Sequence, residues 1–135
     1  MALINDLMGL GLADQLASVV STATLSSAPT LSSSGSLTAA GTTITDALAL
    51  TSFVNLVGTA AASTGVKLPV DCPVGQVVYI ANNGANSIKV YAQSSQTLNT
   101  TIVGATGTTV TTAQALQCIR QSNTNWIAML HTKAV

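Results

Sequence analysis

The side chains best suited to chemistry in this chain are one histidine, His131, two cysteines, Cys72 and Cys118, and four aspartates, Asp6, Asp14, Asp46 and Asp71. A thiol nucleophile needs a base to draw off its proton, and Cys118 with His131 is the pairing of types that would supply both. Both fall in or beside segments patterned as core strands, which argues for packing over catalysis. A zinc site needs several nitrogen and sulfur ligands at suitable spacing. With a single histidine and no glutamate, the chain does not provide that set. Glycoside chemistry needs two carboxyl groups about 5–9 Å apart, whereas the aspartates are dispersed among segments that read as caps and turns. Gly104-Ala105-Thr106-Gly107 lacks the following Lys-Ser/Thr of a phosphate loop and lies between strand candidates, so it reads as a turn. The expectation is no catalytic residue, no metal and no cofactor, with His131 on the surface.

The elements that carry these residues are built with very little charge. The chain has 135 residues, about one domain's worth, and only 6% are charged, where a typical soluble domain has about 25%. The basic residues are Lys67, Lys89, Arg120 and Lys133, balanced by the four aspartates to a net charge of zero. Nothing steers such a chain toward nucleic acid or an acidic lipid surface. Its polar surface has to come from Ser, Thr, Asn and Gln, and a neutral surface of that kind favours self-association and burial in an assembly. A secreted Ser/Thr-rich domain is the competing class. The opening Met1-Ala2-Leu3-Ile4-Asn5-Asp6 lacks the basic start of a signal peptide, and no apolar run approaches the roughly 20 residues that span a bilayer. The cysteines leave two readings open, one disulfide or two free thiols; free, buried thiols in strands are the favoured one.

Three regions differ in composition. In residues 1–25, Leu3, Leu7 and Leu10 and then Leu12, Leu16, Val19 and Val20 recur at spacings that suggest short amphipathic helical turns, interrupted by Gly9 and Gly11. Leu3, Leu7, Leu12, Leu16 and Val19 are the candidate anchors, docking on their own domain or on a neighbouring subunit. Residues 26–45 are rich in Ser, Thr, Gly and Ala and read either as a disordered linker or as an arm that orders against a partner. From residue 46 the pattern predicts strands, in Ala47–Val57, Val66–Pro69, Gln76–Ala81, Ser87–Ala92, Thr108–Thr112, Ala115–Arg120 and Asn125–Leu130. Asn82-Asn83-Gly84-Ala85-Asn86 supplies turn chemistry, which makes Gln76–Ala92 the clearest hairpin. Within it Ile88 and Val90 share one face and Lys89 and Tyr91 the other, so Tyr91 is the aromatic expected at a surface contact. Trp126 is expected in the core. The predicted architecture is all-β, an antiparallel sandwich or jelly-roll-like domain over residues 46–135, preceded by an N-terminal arm over residues 1–45 that contains the short helical turns.

The order of Thr64-Gly65-Val66-Lys67-Leu68-Pro69, the run from Pro73 to Tyr91, the Leu98-Asn99 connector and a closing strand with Trp126 resembles the small β-domains of bacteriophage virion proteins, over roughly residues 41–131. That resemblance, to capsid decoration (cement) proteins and related fibre-like modules, implies a structural role without catalysis. It implies a homotrimer on the capsid surface of a virion assembled in the host cytoplasm, bridging major capsid protein subunits, with no nucleic-acid or membrane partner. A tail-fibre or receptor-binding β-module is the alternative, and a secreted adhesin or enzyme accessory domain a third class.

Overall fold

The computed structural model describes residues 33–132 and Ala134. Every regular element among them is a strand: β1 Ser33–Ala39, β2 Leu48–Ala49, β3 Val54–Ala60, β4 Gly65–Lys67, β5 Val77–Asn82, β6 Ile88–Tyr91, β7 Thr97–Leu98, β8 Ile102–Val103, β9 Thr108–Val110, β10 Gln114–Arg120 and β11 Asn125–Thr132. These segments are rich in Val, Ile and Thr, whose branched side chains suit a pleated, half-buried surface. The helical turns expected in residues 1–25 lie outside the described residues.

The strands form a seven-stranded sheet, β1-β3-β5-β10-β11-β7-β8, and a four-stranded sheet, β2-β4-β6-β9. From β1 to β6 the chain alternates between them. β1, β3 and β5 lie side by side in parallel in one sheet, and β2, β4 and β6 do the same in the other. Successive coils therefore each lay one strand in each sheet, a β-solenoid-like stack. After β6 the direction reverses: β9 runs antiparallel to β6, β10 to β5, and β11 to β10. The all-β class matches the sequence reading; the purely antiparallel arrangement does not. Parallel neighbours need a crossover between them, and each crossover here runs through a strand of the opposite sheet.

The hairpin expected over Gln76–Ala92 is corrected for the same reason, because β5 and β6 belong to different sheets. Asn82–Asn86 turns a corner rather than reversing the strand. Asn82 is fully buried. Its Nδ2 donates to the carbonyls of Asn86 at 2.9 Å and Val110 at 3.0 Å, and its Oδ1 accepts from the Gly84 amide at 2.9 Å. Asn86 Nδ2 reaches back to the Ala60 carbonyl at 2.8 Å, tying the corner to the preceding coil. A Cβ on Gly84 would come within 2.8 Å of the Ala60 Cβ, which makes glycine the residue that fits. The inner faces of the two sheets then meet in one core that includes Val57, Val66, Val78, Ile80, Ile88, Val90, Val110, Leu116 and Trp126.

Part of the stretch expected to be an arm is a strand. Ser33–Ala39 pairs in parallel with β3. The β1–β2 corner is closed by Asp46, whose carboxylate accepts from the Thr43 hydroxyl at 2.6 Å, the Thr43 amide at 2.7 Å and the Thr42 amide at 3.3 Å. Gly41 enters this corner at φ +67°, with no room for a Cβ beside the Asp46 backbone. These bonds, the Thr43 hydroxyl foremost, lower the Asp46 pKa from 3.8 to about 2.

Two outcomes are expected. Asn82→Ala strands the buried Val110 carbonyl and Gly84 amide and loses the bond to the Asn86 carbonyl, and should lower the unfolding free energy by about 3 kcal/mol, against about 1 kcal/mol for Asn86→Ala. Urea unfolding giving similar small losses for both would remove Asn82 from this role. Because the folded Asp46 carboxyl titrates below the unfolded one, its contribution is present above about pH 4 and is lost as the pH falls toward about 2. Asp46→Asn should flatten that part of the stability–pH curve, and an unchanged slope would count against it.

Candidate functional site

The residues singled out for chemistry are kept apart by the strand register. Cys118 pairs with Ala128 and faces the core, while His131 pairs with Ala115 on the opposite face of the same sheet. Side chains on opposite faces cannot share a proton, so Cys118 and His131 form no nucleophile–base pair. Burial pushes the Cys118 thiol up to about 12. Cys72 is also raised by desolvation, with the Arg120 charge opposing. Both cysteines are free and buried, Cys118 in β10 and Cys72 in the β4–β5 connection. His131 is exposed, its Nε2 3.3 Å from Gln117 Oε1. No group of three or more His, Cys, Asp or Glu is placed to hold a metal ion among the described residues. A shallow cleft beside the ends of β2 and β4, lined by Leu50, Leu68, Pro69, Val70 and Asp71, gathers one carboxylate and no base, thiol or second acid.

Arg120, the one arginine, is occupied structurally. Its Nη1 donates to the Cys72 carbonyl at 2.6 Å and the Val70 carbonyl at 3.0 Å, and its guanidinium lies 5.7 Å from the centre of the Trp126 ring. Trp126 is fully buried, as expected, and its Nε1 donates to Gln96 Oε1 at 2.8 Å.

Tyr91 is a correction. It was expected at the surface, yet only 4% of it is exposed. A Cβ on Gly65 would lie 2.6 Å from the Tyr91 ring and one on Gly107 2.9 Å, so the ring fills space that the two glycines leave. Its hydroxyl donates to the Thr42 carbonyl at 3.1 Å. Strand alternation places a side chain on a face; whether that face is bare depends on neighbours distant in sequence. Leu3, Leu7, Leu12, Leu16 and Val19, the expected partner anchors, lie outside the described residues.

What the sequence reading missed is the outer face of the seven-stranded sheet. Directly paired residues on adjacent strands share a face. Because Val78, Ile80, Leu116 and Cys118 point into the core, the register sets the residues between them in three outward rows. One row is Val77, Ile119 and Ile127, and the next is Val54, Tyr79, Gln117 and Met129. The third is Leu56, Ala81, Ala115 and His131. An antiparallel sheet with one solvated face ordinarily alternates apolar inward with polar outward. Here the outward positions carry no Asp, Lys or Arg, and Val54, Tyr79, Ile127 and Met129 are 48%, 43%, 38% and 39% exposed. The signal was present in the sequence: Trp126-Ile127-Ala128-Met129-Leu130 is apolar without a break, so the strand must be apolar on both faces.

Fold and face together define the class: an all-β, β-solenoid-like module with one sheet face whose three outward rows carry apolar residues and no Asp, Lys or Arg. Comparison with protein families, characterised proteins and solved structures finds no match for this chain.

Since these side chains gain little from the core, Ile127→Thr and Met129→Thr should each change the unfolding free energy by less than about 1 kcal/mol. The double variant should bind markedly less of a dye that reports exposed apolar surface, such as anilinonaphthalene sulfonate. Equal dye binding by the wild type and the double variant would mean that the face is not the apolar surface that solvent meets.

Proposed function

We propose that this chain is a non-catalytic structural subunit of a bacteriophage virion, a capsid decoration (cement) protein that stabilises the head by bridging major capsid subunits. The uncharged outer face of the seven-stranded sheet is the observation that carries the reading. Contiguous exposed apolar surface of this kind marks an interaction site, and a subunit held in a fixed, many-copy lattice draws its affinity from buried apolar area rather than from charge steering. The spending of Arg120 and the buried amides on backbone contacts fits a module whose polar groups serve its own architecture.

A tail-fibre or receptor-binding module is the second reading. One specific feature favours it: β1–β3–β5 and β2–β4–β6 stack in parallel along one direction, the way a shaft grows. Quantitative mass spectrometry of particles purified from lysates of the encoding host should find the chain in many copies per particle. Antibody labelling then separates the readings, since label over the heads supports decoration and label on the tails supports the fibre module. Purified particles free of the chain would overturn both.

A further inference from the structure

We propose that Asn83 is a deamidation site held shut by the fold, and that its conversion to isoaspartate bars the corner after β5 from closing again. Asn83-Gly84 is the one Asn-Gly step in the chain. In such a step the backbone nitrogen of the glycine, once deprotonated, attacks the asparagine Cγ. The N–Cγ bond forms and the Cγ–Nδ2 bond breaks. The proton lost from the glycine nitrogen passes through solvent to the departing amide, which leaves as ammonia. Water then opens the five-membered succinimide at either carbonyl, giving aspartate or isoaspartate. Glycine favours the attack because no Cβ hinders it and its backbone turns freely. The electrophile is in reach of solvent, since Asn83 is exposed.

The nucleophile is withheld. The Asn83 N–H donates to the Val57 carbonyl at 2.8 Å, the Gly84 N–H donates to Asn82 Oδ1 at 2.9 Å, and the Gly84 carbonyl accepts from the Thr112 hydroxyl at 2.9 Å. The peptide between residues 83 and 84 is therefore held before, at and after the reacting nitrogen. Gly84 is buried, so its proton, already given to Asn82, is also shielded from solvent base. The peptide plane must swing out of the corner, breaking that bond, before the nitrogen can meet Cγ.

The product does not fit the corner it came from. An isoaspartyl link routes the main chain through Cβ and Cγ, lengthening it by one methylene and leaving the α-carboxylate as the side group. The three bonds fix the register of this stretch, and Gly84 has no slack beside it, because one added carbon on its Cα would lie 2.8 Å from the Ala60 Cβ. Asn82 also donates to the Val110 carbonyl of β9, and Thr112 follows β9, so the clamp is complete only once that later part of the chain is in place. Time spent unfolded thus becomes a permanent mark on the chain, while a folded copy stays unmarked.

The test follows Asn83 in the full chain by peptide mass spectrometry and isoaspartyl methyltransferase labelling, in mildly alkaline buffer with and without urea. The expected result is deamidation in urea, mostly to isoaspartate, and an intact Asn83 in the native protein over the same time. Asn82→Ala should speed the native reaction at least about tenfold; should that variant fail to fold, Thr112→Val, which removes one exposed hydroxyl, should speed it about threefold. Leu98→Ala empties a fully buried site in β7, which pairs with β11 and β8 and with neither strand of this corner, and should leave the native rate unchanged. After the urea incubation, the fraction of chains that fails to refold should equal the isoaspartate fraction. Asn83→Gln, which would have to close a slower six-membered ring, should refold fully after the same treatment. Native deamidation as fast as in urea overturns the inference, and so does an equal acceleration by Leu98→Ala, which would make the protection a property of global stability. Isoaspartate chains that regain the native circular dichroism spectrum overturn its second half.

Discussion

Where the chain turns at Asn82, Gln96 and Asn125, backbone amides and carbonyls enter the interior, and the rest of the fold depends on satisfying them. The protein does this with side-chain amides. Gln96 accepts from Trp126 Nε1 and from the Gln93 amide and donates to the Asn123 carbonyl. Asn125 takes the Thr97 hydroxyl and the Thr100 amide on Oδ1 and donates Nδ2 to Gln121. Asn82 holds β5, the corner after it and β9 together. Carboxylates in these places would need paired countercharges to be buried at tolerable cost, whereas an amide donates and accepts without any. Asn55 is the incomplete case: Nδ2 serves the Ser52 and Tyr79 carbonyls, and Oδ1 has no partner among the described residues.

That solution explains why strands were legible in the sequence and their partners were not. Alternation at Val78 and Ile80, and at Ile88 and Val90, fixes which side of each strand is buried, and the structure buries those sides. Trp126 was placed correctly because a lone tryptophan in an apolar run has few other places to go. Pairing depends on whether Asn82–Asn86 closes a hairpin or turns a corner, and both use the same Asn and Gly residues. The deciding bonds go to Val110 and Ala60, 28 and 26 residues away in the chain. Tyr91 failed for a related reason, its cover coming from Gly65, Gly107 and Thr42. The partner anchors proposed near the N-terminus rest on leucine spacing alone, whereas the outer face rests on register, which no local pattern reveals.

Apolar rows beside an open strand edge would invite uncontrolled stacking, and one edge is guarded. β7 covers β11 only at Asn125 and Trp126. Just beyond, Asn99 stands in for a missing strand: its Oδ1 accepts from the Ala128 amide at 2.8 Å and its Nδ2 donates to the Ala128 carbonyl at 2.9 Å. Covering the backbone of an edge in this way blunts it as a template for further pairing. The module thus limits growth along the sheet edge while leaving the sheet face apolar.

The reversal after β6 also governs the order in which the protein can be completed during synthesis. β1 to β6 emerge first, yet β5 lies between β3 and β10, and β6 between β4 and β9. The parallel coils therefore wait, with β5 and β6 unpaired on one side, until the last third of the chain has been made. Leu116, Cys118 and Trp126, which complete the core, arrive only then. A chain cut short before β10 leaves β5 without a neighbour on that side, so the strands translated last are the ones that close the unit.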